Sequence, residues 1–231
     1  MKVRNLVAIL AIISIAFSSA AQSVFNSGDN TPYWGLRGSI NVNIPGEYKT
    51  PIGKFDYKTG AGFSIGAIYN IPVVANLYFE PGLSFYYDSF KMDELTFGTD
   101  EGEIINTESP KVVQTGFRVP LNIGYRFDLF ENGSISIFTG PEFGIGISAN
   151  VKSNALESEG IKTNLYNDNN AMGADGAWHR FSASWNIGAQ LAVGEHYVVG
   201  LVGNIGVSDL VESDKVSFRE NAIRITFGYD F

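Results

Sequence analysis

Residues 113–127 read VQTGFRVPLNIGYRF, and their pattern decides the fold. Val113, Phe117, Val119, Leu121, Ile123, Tyr125 and Phe127 share one parity, while Gln114, Gly116, Arg118, Asn122, Gly124 and Arg126 share the other. A repeat of two sends successive side chains to opposite faces of an extended chain, so the stretch is a strand with one apolar and one polar face. Strands of ten or more residues also suit a tilted crossing of a bilayer.

The same alternation recurs along the chain. Upstream, Trp34, Leu36, Ile40, Val42 and Ile44 form one apolar row, Ala61 to Ile71 a second and Leu77 to Tyr87 a third. Downstream come Ile135 to Ile147, Phe181 to Leu191, a run from Tyr197 to Val207 blurred by Val198 and Val202, and Ile223 to Phe231. That makes eight predicted strands. Pro81, Pro120 and Pro141 fall inside them and predict bulges or kinks, because proline donates no ladder hydrogen bond.

A soluble sandwich alternates too, so connection lengths must discriminate. Short links lie around Pro72, Asn132-Gly133 and Gly194-Glu195, whereas the links 45–60, 91–112, 149–179 and 209–221 are long. Short turns at one end and long loops at the other are the asymmetry of an outer-membrane barrel. The expected fold is therefore all-β: an eight-stranded antiparallel up-and-down transmembrane β-barrel with short periplasmic turns and long extracellular loops.

Composition agrees. The 231 residues suit one domain; charged residues make up only 17%, against 45% hydrophobic, where average soluble domains are about 25% charged. The absence of cysteine excludes disulfides, thiolate metal sites and a lipidated N-terminal cysteine. A formal charge of −8 offers no basic field for phosphate backbones, so no nucleic-acid partner is expected.

Lys2 and Arg4, the apolar run Leu6–Phe17 and the small residues Ser18–Ala21 have the layout of a secretory signal peptide over 1–21. Its removal takes two positive charges and moves the formal charge from −8 to −10. A short periplasmic segment, 22–32, then leads into the barrel domain, 33–231. The leader implies export across the inner membrane of a Gram-negative cell, and the barrel implies residence in its outer membrane.

In such a barrel the apolar parity meets lipid and the polar parity fills the lumen. Aromatic girdles are expected at Tyr69, Tyr78, Phe79, Tyr125, Phe127, Phe130, Tyr197, Tyr229 and Phe231 on one side, and at Phe85, Tyr87, Phe90, Phe117, Trp178 and Phe181 on the other. The lumen would hold Arg37, Arg118, Arg126, Arg180 and Arg224 with Glu80, Asp88, Glu142 and Asp230. Eight strands leave room only for side chains, and buried charges demand partners. A plug of Arg–carboxylate contacts around Glu80, Glu142, Arg118 and Arg180 is expected, with a small gated channel as the alternative. Glycines on the lumen parity, among them Gly62, Gly66, Gly124, Gly146 and Gly228, would make room for long Arg and Glu side chains.

Three stretches, RVPLNIGYRF (118–127), GPEFGIGI (140–147) and ITFGYDF (225–231), make the sequence resemble the small outer-membrane β-barrel family of Bacteroidota, the PorT-like outer membrane protein beta-barrel domain, related in architecture to OmpA/OmpX-type barrels. The resemblance implies a fold and a location more than a biochemical role; PorT-like members include secretion-system components. In that family the terminal alternation Phe227, Tyr229, Phe231 resembles the signal read by the barrel-assembly machinery. Outer-membrane lipid and lipopolysaccharide are the implied surroundings.

Catalytic chemistry finds little support. His179 has lipid parity while Ser182 and Ser184 have lumen parity, which favours an interfacial histidine over a lipid hydrolase. No catalytic residue, cofactor or metal is assigned. The loop acids Asp93, Glu94, Asp100, Glu101, Glu103 and Glu108 form a solvated face or, alternatively, a site for divalent cations bridging lipopolysaccharide or for a protein partner. Asn167–Asn170 lacks the acidic spacing of a calcium loop.

Overall fold

The computed structural model describes residues 31–46, 48–50, 53–55, 57–92, 96–98, 104–106, 111–130, 133–152, 163–166, 178–194, 196–211 and 217–231. Eight long strands form the body: β1 (Tyr33–Pro45), β2 (Gly60–Val74), β3 (Leu77–Met92), β4 (Lys111–Phe130), β5 (Gly133–Lys152), β6 (Phe181–Val193), β7 (Tyr197–Gly206) and β8 (Glu220–Asp230). Each pairs antiparallel with the next. β8 returns to β1, from Gly35 opposite Asp230 to Pro45 opposite Glu220. The sheet is a closed barrel, which leaves no unpaired edge.

Its faces are inverted relative to a water-soluble protein. Ile65 and Leu201 are 63% and 56% exposed, and most other apolar residues of their parity along the wall strands are exposed or half-buried, while Asn41 and Asp88 on the opposite parity are fully buried. A contiguous apolar exterior of this kind exceeds anything a soluble monomer exposes, and it belongs against acyl chains. Trp185 keeps even its one polar atom satisfied there, its Nε1 donating to Thr139 Oγ1 over 2.7 Å.

The short links are tighter than the sequence suggests. β2 runs through Pro72 to Val74, and only Ala75 and Asn76 turn it into β3, with Ala75 at φ 49°. Gly194, at φ 67°, serves the β6–β7 turn, where a residue without Cβ takes the left-handed conformation at no cost. This turn end carries both ends of the strand ring. The loop end carries the long connections, some of which add short strands: Tyr57–Lys58 joins β3, and Thr163–Asn164 joins β5.

The prolines correct one expectation. Pairing lapses beside Pro81, Pro120 and Pro141, yet the register on either side is unchanged, so these positions drop ladder bonds without a bulge. The irregularities lie elsewhere, at Pro72/Val74, Gly133/Ser134 and Gly146/Ser148. The last flips the inward parity of β5 from even to odd, which is why Ala149 is fully buried.

The girdles also need correction. Tyr125–Phe127, Tyr197–Tyr229 and Tyr229–Phe231 are outward ring pairs at the turn end, and Phe63–Tyr87, Phe85–Phe117 and Phe143–Phe181 lie toward the loop end. Tyr78 and Phe90, however, point inward and are buried, and Trp178 is buried beneath the loop-end connections. Tyr78 stands opposite Gly124, and a Cβ there would collide with its ring. Val198 and Val202, which blur the seventh run, also point inward and are buried.

Candidate functional site

Among the described residues, charge, burial and geometry converge in the interior, which is stacked in layers. At the turn end, Arg37 Nη1 donates to Asp230 Oδ1 over 2.6 Å. Arg126 donates to the Tyr33 hydroxyl over 2.8 Å, and Gln190 donates to the Tyr78 hydroxyl over 3.4 Å. Ile68, Phe138, Val198 and Val202 fill the neighbouring space with apolar groups, so the lumen is not uniformly polar. Several glycines of the small parity accommodate rings: Cβ atoms at Gly124, Gly146, Gly116 and Gly188 would meet Tyr78, Tyr166, Tyr86 and Phe138, while Gly35 and Gly228 yield to an arginine, Arg37.

The middle layer centres on Glu142 of β5. Arg224 of β8 reaches across the lumen and donates Nη1 and Nη2 to its two oxygens, each over 2.7 Å. This is the bidentate fork that gives such pairs both strength and direction. Asn186 donates to Oε2 over 3.1 Å, and Arg118 Nε lies 3.5 Å from Oε1. Arg118 also bonds Asp88 through Nη2, and its guanidinium sits 3.9 Å above the Tyr86 ring. Asn41 completes the chain by donating to Asp88 Oδ1 over 2.9 Å. Asn41, Asp88, Arg118, Glu142 and Arg224 thus tie β1, β3, β4, β5 and β8 together across the barrel.

Two members of the expected plug stand apart. Glu80 is buried but takes only the Asn70 amide, at 3.2 Å, among its described partners. The register explains this: Glu80 faces Asn122, whereas Arg118 faces Ser84, four residues further along β3. Arg180 lies exposed at the loop end, where it donates to the carbonyls of Ile147 and Tyr166 and covers the Tyr166 ring. It precedes the first residue of β6, beyond the reach of Glu142. Asp88, on the polar parity but outside the expected plug, takes the place intended for Glu80.

Above the ion pairs lies a cavity of about 40 Å³. Arg118 Nη1, which has no hydrogen-bond partner among the described residues, belongs to its wall, as do Gln114 and Glu220. His179, Ser182 and Ser184 border the same cavity, but Ser184 Oγ is taken by Asn204 at 2.7 Å. The space is enough for about three water molecules, not for a lipid.

A second closure covers the cavity. Phe90, Val112 and Ala149 from the strand ends, Leu165, Tyr166 and Trp178 from the β5–β6 connection, and Leu210, Val211 and Phe218 from the β7–β8 connection form one buried apolar cluster. Trp178 packs on Phe218 with ring centroids 5.4 Å apart, and Phe90 lies 6.2 Å from Trp178 and 5.9 Å from Phe218. Backbone bonds fix these segments: Trp178 N donates to Leu165 O, Leu165 N to Ala149 O and His179 N to Leu210 O. Six of these residues are ordinary apolar ones in long connections, where no periodicity marks them as interior.

Of the remaining expected positions, Phe227, Tyr229 and Phe231 face outward along the end of the chain. The side chains of Asp93, Glu94, Asp100, Glu101, Glu103 and Glu108, the stretch 167–170 and the leader 1–21 lie outside the described residues. Among the described residues no group of three potential metal ligands occurs.

The model of the "Outer membrane protein beta-barrel domain" matches residues 20–212. The chain belongs to that family. The family places it in the outer membrane, with the long loops at the cell exterior. Several solved structures are similar. Neisserial surface protein A is 12% identical, with a TM-score of 0.46, covering 87% of this chain and 100% of the other. Ail, the attachment invasion locus protein of Yersinia pestis, is 14% identical with a TM-score of 0.40 and coverages of 87% and 100%. OprG of Pseudomonas aeruginosa is 10% identical with a TM-score of 0.43, covering 88% and 98%. No curated protein matches the chain.

Proposed function

We propose that this outer-membrane barrel is a closed one, without a transport or catalytic role of its own, which holds its external loops at the cell surface for interaction with a partner. The observation that carries this reading is the double closure of the lumen: the Asp88–Arg118–Glu142–Arg224 chain across the middle, and the Trp178–Phe218 cluster above it. A solute would have to break buried ion pairs and displace packed rings in series. The likeness of three motifs to PorT-like barrels of Bacteroidota favours a surface role in secretion or adhesion, and the acidic 93–110 loop is the segment best charged for a protein partner. Phe227, Tyr229 and Phe231 serve assembly of the barrel rather than its activity.

Liposome swelling tests the closed lumen. Refolded protein should leave the entry rate of small sugars and amino acids at the protein-free value; entry that scales with protein content and falls off with solute size would establish the channel alternative.

A further inference from the structure

The loop end also carries a row of lysines on the outer face of the wall. Lys58 pairs in register with Lys91, Lys91 with Lys111, and Lys111 with Lys152. Four neighbouring strands therefore present four lysines side by side, in one row across the wall. All four are exposed. Residues directly opposite on paired strands share a face, with Cβ atoms about 4.5–5.5 Å apart, and like charges so placed destabilise the pairing. Among the described residues no carboxylate lies within ion-pair distance of Lys91, Lys111 or Lys152. The arrangement calls for an anionic counterpart.

Its height identifies the counterpart. Lys91 lies four residues beyond Tyr87 on β3, and Lys111 six beyond Phe117 on β4, in each case on the lipid-facing parity. At about 3.4 Å per residue and a tilt of about 40°, the row stands roughly 10–15 Å above the aromatic residues at the loop-end boundary. Polar headgroups occupy the first 5–8 Å or so beyond the hydrocarbon, and the sugar and phosphate of an outer leaflet extend further. The lysines thus sit just beyond the phospholipid headgroup depth, in the zone of the sugars and phosphates of a lipopolysaccharide leaflet, outside the lumen and apart from its ion pairs.

We propose that Lys91, Lys111 and Lys152, with Lys58 at the end of the row, form a docking strip for the phosphate groups of outer-leaflet lipopolysaccharide. Lysine suits this task as a compact charge on a long flexible stem, able to follow phosphates that move laterally. Contact is direct and needs no bridging divalent cation, in contrast to a site built on the loop acids. The proposal rests on the outer-membrane location, and not on whether the lumen conducts.

The test is binding of bisphosphorylated lipid A to the refolded full chain in nanodiscs, beside the same lipid A stripped of its phosphates, followed by native mass spectrometry in the presence of EDTA. The heat-modifiable gel shift confirms that each sample is folded. The wild type should prefer the phosphorylated lipid, and K91Q/K111Q/K152Q should bind it about a hundredfold more weakly, on the basis of about fivefold per lysine at an anionic surface. The triple arginine variant should restore binding. Arg219→Gln, which removes an exposed charge beside Asp209 at another point of the rim, should change little. Equal binding of the two lipids by the wild type overturns the proposal, even if no variant folds. So does a triple glutamine variant that binds like the wild type, the result expected if acids of the 93–110 loop neutralise the row.

Discussion

The two closures of this barrel are built from opposite materials. Around Glu142, charged and amide side chains meet across the lumen from wall strands whose register fixes every partner. Around Trp178, aromatic and aliphatic side chains meet above the strands, brought there by connections that fold inward. The first closure is part of the ladder and should fail only with the barrel. The second is attached to it through a few backbone bonds and packing, so it should open locally. A lumen can be filled by pairing charges at spacings the sheet dictates, or covered by apolar groups that loops deliver.

Three substitutions bear on that distinction, and a fourth bounds it. Glu142→Leu removes the shared acceptor and leaves Arg224 and Arg118 buried with one carboxylate fewer between them; the expected loss is about 3–5 kcal/mol, read as the urea midpoint of the refolded barrel. Replacing Arg224 by Met in the same chain should recover much of it, since the uncompensated charge is what costs. Phe218→Ala takes a fully buried ring from the cap and should cost about 3 kcal/mol within that cluster. Its effect should appear as faster proteolysis in 207–219 and a red-shifted Trp178 emission, with the global midpoint nearly unmoved. A midpoint shift as large as that of Glu142→Leu would erase the contrast between the closures. Gly124→Val drives a side chain into the Tyr78 ring and should cost about 1–3 kcal/mol; Tyr78→Ala in the same chain should return part of it, because neighbours in contact are not additive. Arg180→Gln should alter stability by no more than about 1 kcal/mol, since its hydrogen bond to the Ile147 carbonyl is solvent-exposed and the one to Tyr166 is long, at 3.4 Å.

Sequence pattern reaches the first closure far better than the second. Alternation from Val113 to Phe127 marks the wall, and its parity sends Arg118, Glu142 and Arg224 inward before any register is known. Parity alone does not say which charges meet. That depends on stagger: Glu80 and Arg118 are adjacent in a parity list but four residues apart once Ser84 is set opposite Arg118. Tyr78 misled because aromatic residues near strand ends usually face the interface; only its pairing with Gly124 shows where the ring fits. Trp178, Leu210 and Phe218 carry no periodic signal, because a loop that folds back obeys the shape of the cavity it covers. The lysine row is hidden in the same way, since Lys91, Lys111 and Lys152 become neighbours through strand pairing alone.

Single-channel recording in planar bilayers tests the two-closure account most directly, with the wild type beside a chain carrying both Glu142→Ser and Phe218→Ala. The account predicts no stable openings for the wild type and, at most, brief ones for the doubly changed chain, whose charge chain and cap are breached while the turn-end layer stays filled. Stable nanosiemens openings of the wild type would contradict it.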